Sequence, residues 1–201
     1  MIKAKEKTGA KKTIVALCCS TGGPRALQEI IPKLPANFHT PVVLVQHMPD
    51  GFTKTLAQRL DTLSSITVSE AMEGDELQSG HVYIAKAGVH LKIANRNSKH
   101  YITFDSAPPR EGVRPCANYL YESLIQSDYD RIICVVLTGM GADGTEGIMK
   151  LSEKKEISLI VQDEETSVVY GMPGNILRKK LPCQIVKLDQ IADVIMKETE
   201  G

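Results

Sequence analysis

No excess of either charge sign marks this sequence: lysine plus arginine and aspartate plus glutamate each number 24, and the isoelectric point is near 7. A neutral balance favours neither nucleic acid nor an anionic membrane as partner. The five cysteines form no C-x-x-C pair, and three of them lie in apolar, strand-like or strand-edge contexts. That usage fits reduced core packing in a cytosolic protein and argues against a disulfide frame or a zinc site. No apolar run approaches the length of a membrane span, and the first lysines have no apolar segment behind them of signal-peptide form. Internal repeats and low-complexity tracts are also missing. A soluble, intracellular, cytoplasmic protein without membrane insertion is expected.

What is present is a chain of 201 residues, 42% hydrophobic, enough for one α/β domain with a sizeable core. Residues 1–12, MIKAKEKTGAKK, lack periodicity and read as a flexible tail or linker remnant. Residues 13–199 form the expected domain. Strands are predicted over 14–19, 42–46, 66–70, 131–137, 157–162 and 184–187. Helices are predicted over 25–34, 53–63, 115–126, 144–153, 173–180 and 189–199. This alternation predicts an α/β fold: a doubly wound, mostly parallel sheet with helices on both faces. Between the third and fourth of these strands, segments 82–85, 91–94 and 101–104 follow one another without helices. They read as an antiparallel excursion, with a hairpin at one edge of the sheet.

The organising stretch is TIVALCCSTGGP at 13–24, a buried strand that runs into Ser20-Thr21-Gly22-Gly23-Pro24 and then a helix. Such a corner aims a side chain and free backbone N–H groups beyond the carboxyl end of the strand. It can cradle a phosphate, although neither G-x-G-x-x-G nor G-K-[ST] is present; it can be a serine cap; or Ser20 can be a nucleophile. The last reading needs a base, because a serine hydroxyl is a poor nucleophile on its own. His47 leaves the second strand, whereas His39, His81, His90 and His100 lie in loops or along the excursion. Asp143 follows the glycine-rich corner after the fourth main strand and is either a helix cap or the carboxylate that orients the imidazole. Asp50 and Asp163 compete for that role. The order Ser, His, Asp and the lack of G-x-S-x-G, with Cys18 at its first glycine position, set the chain apart from α/β-hydrolases.

Several longer strings are specific: S-T-G-G-P at 20–24, V-Q-H-M-P-x-G-F-T at 45–53, E-x-D-E-L-x-x-G-x-V-Y-I-A at 73–85, R-P at 114–115, L-T-G-M-G-x-D-G at 137–144 and Q-D-E-x-x-S-V-V-Y-G-M-P at 162–173. In order over 13–196, they resemble the catalytic domain of the CheB-type chemotaxis receptor methylesterases. The resemblance implies hydrolysis of glutamate γ-methyl esters on the cytoplasmic helices of chemoreceptors, with glutamine deamidation as a related activity and no metal or organic cofactor. It carries the nucleophile to Ser20, the base to His47, the orienting acid to Asp143 and the backbone oxyanion donors to Thr21 and Met140. It further implies a receiver domain, on the full-length protein or on a separate chain.

Met48, Met140 and Met172 are expected either at an apolar lip of the cleft or in the core. The sequence departs from the family at Cys18-Cys19, where small residues are usual and where a thiol is expected beside the serine, and at Cys116 and Asn118, where a serine and an acid are usual. A receptor-binding adaptor without catalysis, or an esterase for another methyl ester, are the alternative readings.

Overall fold

The computed structural model describes residues 11–200. Its first half holds β1 (Thr13–Cys19), α1 (Gly23–Ile30), β2 (Val42–Gln46), α2 (Phe52–Leu63), β3 (Thr67–Glu70), β4 (His81–Ile84), β5 (His90–Arg96) and β6 (Lys99–Asp105). The second half holds α3 (Ala117–Ser123), β7 (Arg131–Val136), α4 (Thr145–Ser152), β8 (Ile157–Gln162), α5 (Gly171–Arg178), β9 (Gln184–Val186) and α6 (Ile191–Glu200). Seven strands form one sheet in the order β3-β4-β2-β1-β7-β8-β9, with every neighbouring pair parallel.

β1 lies at the centre and is buried from Ile14 to Cys19. Because side chains alternate across a strand, Val15, Leu17 and Cys19 enter one core with α1, α2 and α6. Ile14, Ala16 and Cys18 enter the other with α3, α4 and α5. The unbroken apolar run in the sequence is therefore the signature of a strand covered on both sides. The chain leaves β1 towards β2 on one side, while β7 pairs with it on the other. This reversal opens a crevice at the carboxyl ends of β1, β2 and β7, where open α/β sheets hold their sites.

The segment expected to begin an antiparallel excursion is instead β4, a parallel strand between β3 and β2, with Val82 opposite both Val68 and Val42. Parallel neighbours usually need a helical crossover, and the connection over 71–80 contains none. The missing helix hid the direction of this strand's pairing, although burial of Val82 and Ile84 places it inside the sheet. The predicted hairpin is present as β5 and β6, turning at Asn97 and Ser98, both at positive φ as a two-residue hairpin turn requires. It forms its own two-stranded sheet and does not extend the edge of the larger one. Leu91, Ile93 and Ile102 pack into the core on the α3 side, and the Ile93 N–H donates to Ser123 Oγ at 2.9 Å.

The expected tail at 1–12 lies outside the described residues as far as residue 10. Lys12 is held: its N–H donates to Asp130 Oδ2 at 2.9 Å, and its carbonyl accepts from Asp130 N at 2.8 Å. The helix expected over 25–34 is α1 followed by a single 3-10 turn, Ile31–Lys33, which holds Pro32.

Candidate active site

Ser20 is the first residue past β1, and its N–H donates to Thr138 O at 3.0 Å. Gly22 then adopts φ +86°, a conformation that L side chains rarely take, and a Cβ there would sit 2.7 Å from Val168 Cβ. Pro24 enters the first turn of α1, where its missing N–H costs no intrahelical bond. The register of β1 with β2 pairs Cys19 with Gln46, so Ser20 and His47 leave the sheet side by side. His47 N–H also donates to Cys19 O at 3.2 Å. Beneath them, the buried amide of Gln46 donates from Nε2 to Ser20 O at 3.0 Å and to His47 O at 2.9 Å, while its Oε1 accepts from Cys19 Sγ at 3.0 Å. One side chain thus ties both corners together.

Asp143 arrives from the loop between β7 and α4 and is only 4% exposed. Its Oδ2 lies 2.7 Å from His47 Nε2. Gly144, at φ +91°, takes the cap position of α4, so Asp143 does not cap the helix it precedes. It caps α3 instead: Oδ2 accepts from Ala117 N at 2.7 Å, and Oδ1 accepts from Asn118 N at 3.1 Å and from Cys116 Sγ at 2.9 Å. Burial by itself would raise this carboxyl, but the bonds from His47, Cys116 and Ala117 outweigh it and hold Asp143 below its ordinary value. A carboxylate only accepts, so Nε2 of His47 carries a hydrogen towards Asp143, and Nδ1 is the nitrogen left out of that bond. The rival carboxylates lie elsewhere: Asp163 accepts Thr166 N at 3.1 Å within its own loop, and Asp50 is exposed in the turn before α2 beside Gly88.

The loop after β7 is pinned against Ser20. A Cβ on Gly139 would meet Ser20 Cβ at 2.8 Å, so only glycine lets the two corners touch. Gly139 N donates to Val169 O at 2.9 Å, and Gly139 O accepts from Met172 N at 2.8 Å. Thr138 Oγ1 donates to Thr21 O at 2.9 Å and accepts from Val169 N at 3.0 Å, while Thr138 N donates to Gln162 Oε1 at 2.9 Å. Among the described residues, the amides of Thr21 and Met140 have no acceptor. Ser20 Oγ likewise has no hydrogen-bond partner there; catalytic hydrogen bonds commonly tighten only once substrate is bound.

The structure decides between the two readings of the methionines and corrects the expectation of a thiol beside the serine. Met172 is fully buried, Met48 packs against the core and also lines the groove beside His47, and Met140 is 75% exposed. Cys19 offers no thiol to the serine: it is buried, its hydrogen points to Gln46, and burial pushes its pKa up. Cys116, whose thiol burial and the Asp143 charge push up to about 12, serves as a donor to that carboxylate. Gln46, Thr138 and Gln162 were not singled out in the sequence. The signal for them was a polar residue at or just beyond the end of an otherwise apolar strand. No cluster of metal-ligating side chains occurs among the described residues.

A groove of about 310 Å³ borders His47, lined also by Met48, Pro49 and residues 112–115. A larger one, about 540 Å³, lies on the other side of the serine corner, between Gly22, Arg25, Thr138 and Lys187. Only the smaller one touches a residue proposed from the sequence.

A family model described as CheB methylesterase matches residues 15–195 of the chain. A protein-glutamate methylesterase/protein-glutamine glutaminase of Geobacillus kaustophilus is 46% identical over 187 residues, covering 93% of this chain and 54% of its own length. The protein of the same description in Bacillus subtilis is 40% identical over 190 residues, covering 94% and 53%. The crystal structure of the Thermotoga maritima CheB methylesterase catalytic domain superposes with a TM-score of 0.89 at 39% identity, covering 95% of this chain and all of that one. The chain spans about half the length of the curated relatives it matches.

Proposed function

Because the chain belongs to the CheB methylesterase family, we propose that it hydrolyses glutamate γ-methyl esters on the cytoplasmic helices of chemoreceptors, with Ser20 as nucleophile, His47 as base and Asp143 as orienting acid. The observation that carries the reading is the 2.7 Å bond between His47 and Asp143, with Ser20 leaving the neighbouring strand beside His47.

His47 Nδ1 takes the Ser20 proton as Oγ bonds to the ester carbonyl carbon. The charge that develops on the carbonyl oxygen rests on the free amides of Thr21 and Met140, and one such donor is worth about 10²–10³ in kcat. Asp143 stabilises the imidazolium formed in this step. Collapse breaks the bond to the methoxy oxygen, which takes the proton from His47 and leaves as methanol. Water then attacks the acyl-serine by the same route, releasing the glutamate carboxylate and restoring Ser20. An amide in place of the ester loses ammonia at the first collapse, which gives the related glutaminase activity. The substrate helix and the half of the longer relatives that this chain does not cover, read as a receiver domain, are the proposed partners, and the cytoplasm is the proposed compartment. Consistent with that, no helix among the described residues is long and apolar enough to cross a membrane.

The test is methanol release from methylated chemoreceptor membranes by the wild-type chain and by Ser20→Ala and Asp143→Asn. Release by wild type, its abolition in Ser20→Ala and a loss of about 10⁴ in kcat in Asp143→Asn are expected. A wild type that binds receptor and releases no methanol would point to an adaptor, and release from other simple methyl esters alone would point to a different substrate.

A further inference from the structure

The acid of the proposed triad is held by a short stretch of backbone, and that stretch is itself held by a second histidine. Residues 116–118 lead into α3 with three consecutive amides. Two of them, Ala117 N and Asn118 N, donate to Asp143, as does the Cys116 thiol. The first, Cys116 N, points the other way and donates to His90 Nδ1 at 3.1 Å.

His90 opens β5 and is fully buried. Its other nitrogen, Nε2, lies 3.1 Å from Pro108 O, and its ring stacks on Tyr119 with centroids 4.1 Å apart. A backbone N–H only donates and a backbone carbonyl only accepts. His90 is therefore held neutral as one tautomer, with its hydrogen on Nε2 and its lone pair on Nδ1. Stacking sets the plane of the ring, the Pro108 carbonyl sets its rotation, and Nδ1 then presents one acceptor at a fixed place.

We propose that His90 is a positioning residue for the proposed catalytic acid: by accepting the Cys116 N–H it fixes the 116–118 backbone, and through it the three donors that set the position of Asp143 against His47. The assignment rests on the triad reading above. Without that acceptor the Cys116 amide is a buried donor with no partner, and the segment shifts to satisfy it. The shift passes to a carboxylate that holds an imidazole, and displacements near 1 Å at such a point lower turnover by about 10²-fold.

Two variants of similar size separate the roles of the two nitrogens. In His90→Asn the side-chain oxygen reaches the place of Nδ1 and preserves the acceptor. In His90→Gln the amide nitrogen reaches the place of Nε2 and preserves only the bond to Pro108. With methylated receptor as substrate, kcat is expected to fall by about tenfold or more in His90→Gln and to stay within about threefold of wild type in His90→Asn, with KM little changed in both. Proton NMR supplies a readout that needs no turnover. The proton shared by His47 and Asp143, identified by its loss in Asp143→Asn, should keep its shift in His90→Asn and move or broaden in His90→Gln. Equal kcat in the two variants, or an unmoved proton in both, overturns the proposal. An inactive wild type with the expected NMR pattern would instead count against the esterase reading and leave the positioning role standing.

Discussion

Asp143 performs two tasks that pull its chemistry in one direction. As the cap of α3 it accepts backbone N–H groups near the positive end of a helix, and as the partner of His47 it faces an imidazole N–H; both favour the ionised form. A carboxyl held below its ordinary value of 3.8 in the folded chain contributes stability at pH values above 3.8. That contribution is lost as pH falls through 3.8 towards the folded value, because the unfolded chain then binds the proton first. Asp143→Asn is therefore expected to be less stable than wild type at pH 7 and to lose less on acidification below pH 4. Chemical denaturation at a series of pH values measures this. Parallel stability curves for the two proteins would show that the carboxyl is not coupled to folding. In the sequence Asp143 was legible as a carboxylate just past the fourth main strand. That it caps α3 was not legible, because no local pattern links residues 116–118 with residue 143.

The contact between α3 and α4 carries the geometry of the acid. Gly147 lets the two helices meet: a Cβ there would sit 2.8 Å from Asn118 Cα and 2.9 Å from Asn118 O, both backbone atoms that cannot step aside alone. Its N–H also donates to Asn118 Oδ1 at 2.7 Å, and Asn118 N is one of the donors to Asp143. Gly147→Ala is expected to cost about 1–3 kcal/mol by overpacking and to lower turnover as well, since the forced separation displaces the 116–118 backbone. Gly174, within α5, is the contrast: a Cβ there would lie 3.4 Å from Tyr170 Cδ1, an ordinary contact. Gly174→Ala should be neutral or stabilising by about 0.5–1 kcal/mol, as expected for glycine in a helix interior. Thermal midpoints and kcat for the two variants check both statements, and equal behaviour would remove the helix contact from the account. At this scale periodicity located the helices to within a few residues. It failed at the pairing of β4: the strand itself was expected over 82–85, but without a helical crossover nothing in the sequence pattern marks it as parallel.

Across the whole molecule, two apolar cores lie on opposite faces of one sheet and share β1. Leu27 of α1 is fully buried in one of them and Leu120 of α3 in the other. Since the sheet belongs to both, neither core can be lost while the other persists, and unfolding should be a single transition. Leu27→Ala and Leu120→Ala are each expected to cost about 2–5 kcal/mol. Each should shift far-UV dichroism and loss of activity together. Separate transitions in either variant would show that the faces unfold independently.

The alternation of apolar runs with helical patterns determined the parallel sheet, because period and length depend on nearest neighbours along the chain. The glycine corner placed Ser20 at a strand end for the same local reason. Tertiary structure alone decided what converges there. The strand order brings β2 and β7 to either side of β1, Gln46 joins the serine and histidine corners from below, and a thiol and two amides of α3 close on Asp143. These partners are separated by 25 residues or more along the chain, apart from the bond between Gln46 and the adjacent His47. Burial and hydrogen-bond satisfaction select such partners only in the packed molecule, where each donor must find an acceptor without water.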